Sequence, residues 1–217
     1  MTPSPQQPSH QTGAPALEVE SLSIGFNGQT VVSDISFSVA RAQTLALVGE
    51  SGCGKSVTAL SLMNLLPHGA SATATSMKLA GDELTGYRER DWHAIRGSRI
   101  GMIFQDPGSA LDPLMTVGRQ IAEALRLRGI TEPAALRTVA CEMLSRVGIS
   151  DPQQRLDQYP FELSGGMCQR VMIVIAMAAE AELLIADEPT TALDVTIQAQ
   201  ILALIETLQR ETGTSVL

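Results

Sequence analysis

The sequence predicts an α/β fold with a buried parallel sheet, and three features of its 217 residues indicate this. A short apolar run from Thr44 to Val48 leads into a glycine-rich loop and then into a segment with helical spacing. A second apolar run, Leu183 to Ala186, ends in an acidic pair. Ahead of both, residues 17–24 and 31–39 alternate apolar and polar positions around Asn27-Gly28, which predicts an antiparallel hairpin.

The remaining elements follow from hydrophobic periodicity and from Gly and Pro positions. They are a helix over 55–66, strands over 77–79 and 99–104, two helices within 117–148 that are separated at 129–133, helices over 164–179 and 195–210, and the opening of a strand over 214–217. Residues 1–16 are rich in Pro, Gln and Ser, so we expect a disordered tail. Residues 17–217 are predicted to form a single domain.

The composition is that of a folded globular chain, with 44% hydrophobic and 18% charged residues. The net charge of −8 argues against a nucleic-acid partner, because neutralising a phosphate backbone requires excess Lys and Arg. No apolar run approaches the roughly 20 residues that cross a bilayer, and no signal-peptide pattern is visible. The scattered cysteines predict reduced thiols rather than disulfides or a metal site: Cys53, Cys141 and Cys168.

The glycine-rich loop has the chemistry of a phosphate-binding loop. Its glycines allow backbone N–H groups to converge on phosphate oxygens, and the following helix adds its positive dipole end. Lys55 is placed to neutralise the β and γ phosphates, and the Ser56 hydroxyl is placed to bind Mg²⁺. We interpret Cys53 as a small residue of the loop, and a redox role for its thiol is the alternative. The predicted nucleotide-binding residues here are Gly49, Glu50, Ser51, Gly52, Cys53, Gly54, Lys55, Ser56 and Val57.

The acidic pair Asp187-Glu188 follows the second apolar strand. Carboxylates at the end of a buried strand are costly unless they serve a metal or a reaction. Asp187 is placed to hold Mg²⁺ through water, and Glu188 is the candidate general base that polarises an attacking water. The alternative is a solvated strand end without a chemical role.

A third motif, Leu163-Ser164-Gly165-Gly166-Met167, stands at the start of a predicted helix. It offers a hydroxyl, free backbone N–H groups and no bulky side chain, which together make an anion site. Taken alone, Ser-Gly-Gly is also a common helix-capping sequence. The order of the three motifs along the chain favours the anion site.

With these motifs the chain resembles the ATP-binding cassette (ABC) ATPases, over residues 17–217. The Leu-Ser-Gly-Gly segment resembles the family signature. The resemblance implies that Gln105 is the Q-loop glutamine, which senses Mg²⁺ and the transport partner, and that Thr191 to Asp194 is the D-loop. It also implies that Phe26 stacks on adenine, with a core phenylalanine as the alternative. The expected fold is therefore a P-loop NTPase with an N-terminal antiparallel region and a helical subdomain at about 105–180.

Several runs resemble more closely the ATPases of di- and oligopeptide (and nickel) importers: 103–107, 112–121, 165–167 and 194–201. In the signature segment, Met167 replaces the Gln that is commoner in the ABC family. Two other residues depart from the pattern of the importer group. Phe161 stands where His is frequent. Cys168 stands where Arg is usual, and a thiol cannot make the bidentate contacts of a guanidinium. We therefore expect a change in the stability of the signature region.

The resemblance implies a mechanism and a set of partners. Two cassettes pair head to tail with two ATP molecules between them, each bound by the phosphate loop of one subunit and the signature segment of the other. The partners implied are a second ABC ATPase subunit, transmembrane permease subunits and, indirectly, an extracytoplasmic solute-binding protein. The expected function is ATP hydrolysis that drives uptake of peptides or a related solute, at the cytoplasmic face of the membrane.

The family also carries a switch histidine after the strand that opens at Thr214, and none of His10, His68 and His93 has that position. From this we expect the C-terminal part of the cassette to be missing and hydrolysis to be weak or absent. One alternative is therefore a non-hydrolysing nucleotide-binding fragment. Another is a soluble ABC ATPase of translation or repair, although about 110 positions between Lys55 and Ser164 favour the compact transporter type.

Overall fold

A computed structural model describes residues 13–190 and 195–217, and the side chains of 195–197 lie outside that description. Within these residues the chain is an α/β structure with two sheets. The strands are β1 (Leu17–Phe26), β2 (Gln29–Val39), β3 (Ala70–Thr73), β4 (Ser76–Leu79), β5 (Asp82–Glu83), β6 (Ile100–Ile103), β7 (Leu183–Ala186) and β8 (Ser215–Val216). The helices are α1 (Lys55–Ser61), α2 (Glu89–Ile95), α3 (Pro107–Ala110), α4 (Val117–Leu127), α5 (Pro133–Arg146), α6 (Pro152–Arg155), α7 (Gly165–Ala178) and α8 (Val195–Thr212), with a 3₁₀ turn at Pro160–Glu162.

The N-terminal hairpin is confirmed, and its strands run slightly further than predicted. Strands β1 and β2 pair antiparallel up to Phe26 and Gln29, and the turn residues Asn27 and Gly28 both have positive φ, at 48° and 82°. Such a two-residue turn matches the twist of the flanking strands. The sheet has the order β2-β1-β4-β5, and β3 pairs with β1. Strands β3 and β5 were not predicted, because they are short and mostly exposed.

The second sheet is parallel and has the order β6-β7-β8. Ile100 pairs with Leu183, Ile103 with Ala186, and Leu183 with Ser215. Strands β6 and β7 are buried on both faces apart from Ala186, which explains their unbroken apolar sequences. The three predicted strands of this sheet are therefore confirmed.

The predicted buried strand from Thr44 to Val48 is wrong beyond its first residues. Thr44 forms an isolated parallel bridge with Val216, and the Leu45 N–H donates to the Val216 carbonyl at 2.8 Å. Strand β8 ends at Val216, and none of the described residues pairs with the backbone of residues 46–48. Val48 is accordingly 94% exposed. An apolar sequence forms a strand only where a neighbour completes its hydrogen bonds.

The predicted helices are confirmed with one change of boundary. Helix α1 ends at Ser61 rather than Leu66, since Asn64 adopts a left-handed conformation that a helix cannot contain. Pro133 occupies the first turn of α5, where the Glu132 carboxylate accepts a hydrogen bond from the Ala135 N–H. The short helices α2, α3 and α6 were not predicted, because each gives too few residues for a periodic signal.

The core has two clusters of buried side chains. One lies between α1, the antiparallel sheet and the neighbouring faces of β6 and β7. The other joins α4, α5, α7 and α8. Helix α7 approaches β6 closely at Gly101, where an added Cβ would lie 2.5 Å from the Ala176 carbonyl oxygen. Helices α3 to α7 all follow β6 and precede β7 in the chain, so they form an insertion into the parallel sheet.

The predicted tail falls mostly on residues 1–12, which lie outside the described residues. Ala16 was assigned to that tail, but it is buried and its N–H donates to the Val39 carbonyl at 2.8 Å. The ordered chain thus includes at least one residue that the sequence pattern placed in the tail. Among the helices of the described residues, none combines the length and the apolar character that a membrane span requires.

Candidate functional site

The parallel register places the candidate site. Gln105 follows β6 after one intervening residue, and Asp187 follows β7 directly. Because the carboxyl ends of parallel strands meet at the same sheet edge, these side chains lie together. The loop from Gly49 to Gly54 reaches the same edge and leads into α1. Five predicted residues therefore converge there: Lys55, Ser56, Gln105, Asp187 and Glu188.

Lys55 is held between its own loop and Glu188. Its Nζ donates to the carbonyl oxygens of Gly49 and Glu50, each at 2.9 Å. The same Nζ lies 3.6 Å from Glu188 Oε1, and the two side chains are 21% and 33% exposed. Lys55 is thus tethered inside the loop, with its charge directed at the carboxylate. A phosphate oxygen in this position would compete for the same ammonium group.

Ser56 and Asp187 form the oxygen-rich part of the site. Ser56 Oγ donates to Asp187 Oδ1 at 3.0 Å, across 131 positions of the chain. Asp187 is 91% buried, and burial raises the pKa of its carboxyl group above the usual range. A hydroxyl and a carboxylate oxygen fit Mg²⁺, which is bound by few protein oxygens together with phosphates and water. The described residues hold no cluster of three or more His, Cys, Asp or Glu side chains that would make a separate metal cage.

Glu188 is held by Gln105 and has an unusual backbone conformation. Gln105 Nε2 donates to Glu188 Oε2 at 3.1 Å. Glu188 has φ of 45°, in the left-handed region that a residue with a Cβ enters at a cost of order 1 kcal/mol. Backbone strain of this kind persists only where the surrounding contacts enforce it. The carboxylate is therefore both neutralised by Lys55 and fixed in place by the fold.

Most of the remaining residues of the loop are exposed to solvent, and Gly54 lies against the hairpin. An added Cβ on Gly54, whose φ is 101°, would lie 2.6 Å from Val32 Cγ2, so β2 and the loop are in close contact. Cys53 is exposed, and its N–H donates to the Glu50 carbonyl at 3.3 Å. Gly49, Ser51 and Gly52 are also exposed, whereas Val57 packs against the core cluster beneath the hairpin.

Phe26 stands at the end of β1, next to the turn of the hairpin. It pairs with Gln29 on β2 and with Ala70 on β3. Its side chain is 38% exposed, so it is not a core phenylalanine. A ring at the end of a strand with this exposure is accessible for stacking on a base.

The signature segment forms the start of α7. Ser164 is the N-cap of α7, and its Oγ accepts a hydrogen bond from the Met167 N–H at 3.3 Å. An added Cβ on Gly165 or Gly166 would meet no atom within 4 Å, so this helix start faces open space. Among the described residues, no hydrogen bond or ion pair links the segment to the five converging residues. Asp194 and the rest of the predicted D-loop lie outside the described residues.

Cys168, where the family resemblance leads us to expect arginine, is 93% buried in the first turn of α7. Its Sγ donates to the Pro160 carbonyl at 3.4 Å, and burial raises the pKa of the thiol, so the neutral form that donates is favoured. Phe161 is 74% exposed and stacks on Tyr159, with ring centroids 5.4 Å apart. Gln169 is a further residue near the site that sequence reasoning missed; the one signal for it is an amide in an otherwise apolar helix. It is 97% buried and donates to Pro189, next to Glu188.

Known proteins resemble the chain in sequence. The profile of the ABC transporter family matches residues 32–191. The probable peptide ABC transporter ATP-binding protein y4tR of Sinorhizobium fredii is 50% identical over 206 residues, which cover 93% of this chain and 62% of that protein. The dipeptide transport ATP-binding protein DppD of Bacillus subtilis is 48% identical, with the same two coverages. The chain thus spans less than two thirds of the length of these curated relatives.

Solved structures agree with the fold. The cassette MJ0796, solved as a dimer in a post-hydrolysis state with ADP and phosphate, superposes with a TM-score of 0.79 at 24% identity, covering 92% of this chain and 85% of that chain. CbiO1 from Clostridium perfringens, described as part of the transporter complex CbiONQ, gives 0.75 at 26% identity, with 93% and 76% covered. The fold is therefore that of a P-loop ATPase cassette. Since the family profile also spans most of its length, the chain belongs to the ABC transporter family.

Proposed function

We propose that the chain is the ATP-binding subunit of an ABC importer, which couples ATP binding and hydrolysis to uptake of di- or oligopeptides or a related solute. The observation that carries this proposal is the convergence of a lysine, a hydroxyl, an amide and two carboxylates at one sheet edge. These are the groups that phosphoryl transfer to water needs: positive charge, metal ligands and a base. The names of the peptide-transport relatives support the solute class.

In this mechanism the Lys55 ammonium group leaves the loop carbonyls and Glu188 and binds the β and γ phosphates of ATP instead. The N–H groups of residues 49–57 surround the phosphates, with Cys53 serving as a small loop residue. Ser56 and Asp187 would hold Mg²⁺, which supplies charge neutralisation on the phosphates, with Gln105 as a further ligand. Glu188 then accepts a proton from the attacking water, and Gln105 keeps its carboxylate oriented.

The open start of α7 supports a head-to-tail pair of cassettes. A helix N-terminus with two unobstructed glycines attracts a phosphate only if another molecule brings the phosphate to it. We therefore assign Ser164, Gly165, Gly166 and Met167 to the nucleotide of a second ABC ATPase subunit, with Asp194 at the same interface. Phe26 would stack on the adenine of the subunit's own ATP. Binding of ATP then favours the closed pair, and hydrolysis releases it.

A groove between β6 and the inserted helices supports docking of a permease. It has a volume of about 530 Å³ and is lined mainly by apolar side chains of β6, α4 and α7, including Phe104, Leu127 and Met172. Gln105 follows Phe104 directly, so a partner in this groove would lie close to the hydrolytic site. We propose that the helical subdomain at about 105–180 transmits closure to a permease at the cytoplasmic face of the membrane, with a solute-binding protein acting indirectly. CbiO1 is likewise described as part of a transporter complex.

The first experiment measures ATP hydrolysis by two proteins. One is the 217-residue chain, and the other is the same chain fused to the segment that follows the matched region in Bacillus subtilis DppD. Each is compared with its Glu188→Gln variant, which should lower kcat by about 100-fold or more, as expected for loss of a general base. Hydrolysis that survives Glu188→Gln unchanged would contradict the assignment of the base. Hydrolysis by the fusion alone, together with ATP binding by both proteins, would identify the shorter chain as a nucleotide-binding fragment.

The solute class needs a separate measurement. The fusion protein is expressed in a Bacillus subtilis strain that lacks DppD, and uptake of a labelled dipeptide is measured. Restored uptake that is lost with Glu188→Gln supports peptide import. ATP hydrolysis in vitro without uptake would leave the ATPase assignment in place and remove the proposed solute class.

A further inference from the structure

Gln169 is a buried amide that joins two parts of the molecule. It lies in the first turns of α7, two residues after Met167, and is 97% buried. Its Nε2 donates to the Pro189 carbonyl oxygen at 2.7 Å, which is a short and well-formed hydrogen bond. Pro189 immediately follows Glu188 in the chain. The side chain thus connects the signature helix to the backbone behind the candidate base.

This hydrogen bond acts on a strained segment. Glu188 has φ of 45°, and a non-glycine residue keeps that conformation only when neighbouring contacts enforce it. On one side of Glu188, the Asp187 N–H donates to the Ile103 carbonyl at 2.9 Å, which holds the segment to β6. On the other side, Gln169 holds the Pro189 carbonyl. The two hydrogen bonds therefore restrain the backbone before and after the strained residue.

We propose that Gln169 is a positioning residue that keeps the Glu188 carboxylate in its hydrolytic orientation by fixing the Pro189 carbonyl from the signature helix. This inference rests on the proposed function, since it assigns Glu188 the role of base. The hydrogen bond of Gln169 ends on the Pro189 carbonyl, so its effect on Glu188 passes through the backbone. Loss of the hydrogen bond would let Glu188 relax toward an unstrained conformation and move its carboxylate. A displacement of about 1 Å can cost a large factor in rate.

The first test needs no ATP hydrolysis. Gln169→Met keeps the length and packing of the side chain but removes the donor, and Ile173→Val shortens a fully buried side chain one turn further along α7. Hydrogen exchange of the segment 187–190 is followed by mass spectrometry in the 217-residue chain. We expect Gln169→Met to speed exchange at Asp187, whose N–H is hydrogen-bonded to Ile103, by about 10-fold or more. Ile173→Val should change the exchange rate at Asp187 only as much as it changes global exchange. Equal exchange in Gln169→Met and the unaltered chain would overturn the inference.

The second test separates positioning from stability. In the protein that hydrolyses ATP, Gln169→Met should lower kcat by about 10-fold and change KM for ATP by less than about twofold. Ile173→Val should lower the melting temperature without that loss of kcat. A matched loss of kcat in both variants would indicate a merely structural role.

If no form of the protein hydrolyses ATP, the proposed function fails, and the exchange measurement decides the inference alone. If Gln169→Met does not fold, Gln169→Leu, which also lacks a donor, replaces it in both measurements.

Discussion

Single residues at the phosphate-binding loop show how a backbone conformation restricts the sequence. Gly54 has φ of 101°, which a residue with a Cβ adopts only at a cost of about 1–2 kcal/mol. It also lies against β2, because an added Cβ would lie 2.6 Å from Val32 Cγ2. Lys55 follows directly and begins α1. A change at Gly54 therefore affects both the stability of the loop and the position of the lysine.

We expect Gly54→Ala to lower the melting temperature more than Gly129→Ala does. Gly129 also has positive φ, at 82°, but an added Cβ there would meet nothing within 4 Å. Both variants carry the conformational cost, and only Gly54→Ala adds the clash with Val32. Differential scanning fluorimetry of the two variants checks this. A larger loss for Gly129→Ala would show that the contact between loop and hairpin is absent in solution.

Glu83 predicts a pH dependence of stability. Its carboxylate accepts hydrogen bonds from Ser76, from the Met77 N–H and from Thr85, and these hold its pKa at about 2, below the ordinary 4.5. A lowered pKa in the folded state means that the stabilisation is present above pH 4.5 and is lost as the pH falls from 4.5 toward 2. Glu83→Gln should therefore be less stable than the unaltered chain at pH 7, and the difference should shrink at pH 3. Urea unfolding at both pH values measures this, and a difference independent of pH would contradict it.

Between elements, the packing of α7 on β6 connects the inserted helices to the parallel sheet. Gly101 lies in β6 opposite the Ala176 carbonyl of α7, and the approach leaves no room for a side chain. Strand β6 also leads to Gln105, and α7 begins at the signature segment. The spacing between β6 and α7 therefore sets the distance between Gln105 and the signature segment.

We expect Gly101→Ala to destabilise the fold by about 1–3 kcal/mol, because overpacking forces the backbone of one element to move. For a chain of this size that corresponds to a fall of several degrees in melting temperature. Gly165→Ala, at the open start of α7, is the control for stability and should not lower the melting temperature. A Gly101→Ala variant as stable as the unaltered chain would mean that α7 and β6 are less closely packed than described here.

Across the whole molecule, Arg99 joins the two sheets. Its guanidinium bonds to Asp82 on β5 and to Glu182 just before β7, and the hydrogen bond to Glu182 raises the pKa of Arg99 above its ordinary value. The proposed nucleotide site spans the same two sheets, because the loop contacts the hairpin at Val32 and its Lys55 lies beside Glu188, which follows β7. Ligand binding should therefore stabilise the molecule as a unit.

Mg²⁺ and ATP together should raise the melting temperature. A ligand at 100 times its Kd adds about 2.7 kcal/mol to the free energy of unfolding, which for this chain length corresponds to roughly 5–10 °C. Lys55→Ala should abolish the shift, whereas Lys78→Ala, a lysine in β4 away from the site, should retain it. Thermal unfolding with and without Mg²⁺ and ATP makes the comparison. An equal shift for Lys55→Ala would place the nucleotide elsewhere.

Local patterns in the sequence were sufficient for the hairpin around Asn27-Gly28, for the strand before Asp187, for the phosphate-binding loop and for the start of α7 at Ser164. Each of these depends on a few consecutive residues, whose alternation, turn chemistry or capping acts over a short range. The sequence also predicted five site residues that the structure brings together at one sheet edge: Lys55, Ser56, Gln105, Asp187 and Glu188. Its prediction of a strand over Thr44–Val48 was wrong beyond Leu45, because pairing depends on a neighbour that no local pattern reveals.

Only the tertiary structure decided how the separate motifs meet. Gln105 and Glu188 lie 83 positions apart, and Ser56 and Asp187 lie 131 apart, yet each pair is within hydrogen-bonding distance. The parallel register of β6 and β7 brings Gln105 to Glu188, and the packing of α1 against the core beside β7 brings Ser56 to Asp187. The left-handed conformation of Glu188 and the hydrogen bond from Gln169 to Pro189 also depend on contacts between distant segments. Contacts of this kind are enforced by packing between distant segments, so they exist only in the folded chain.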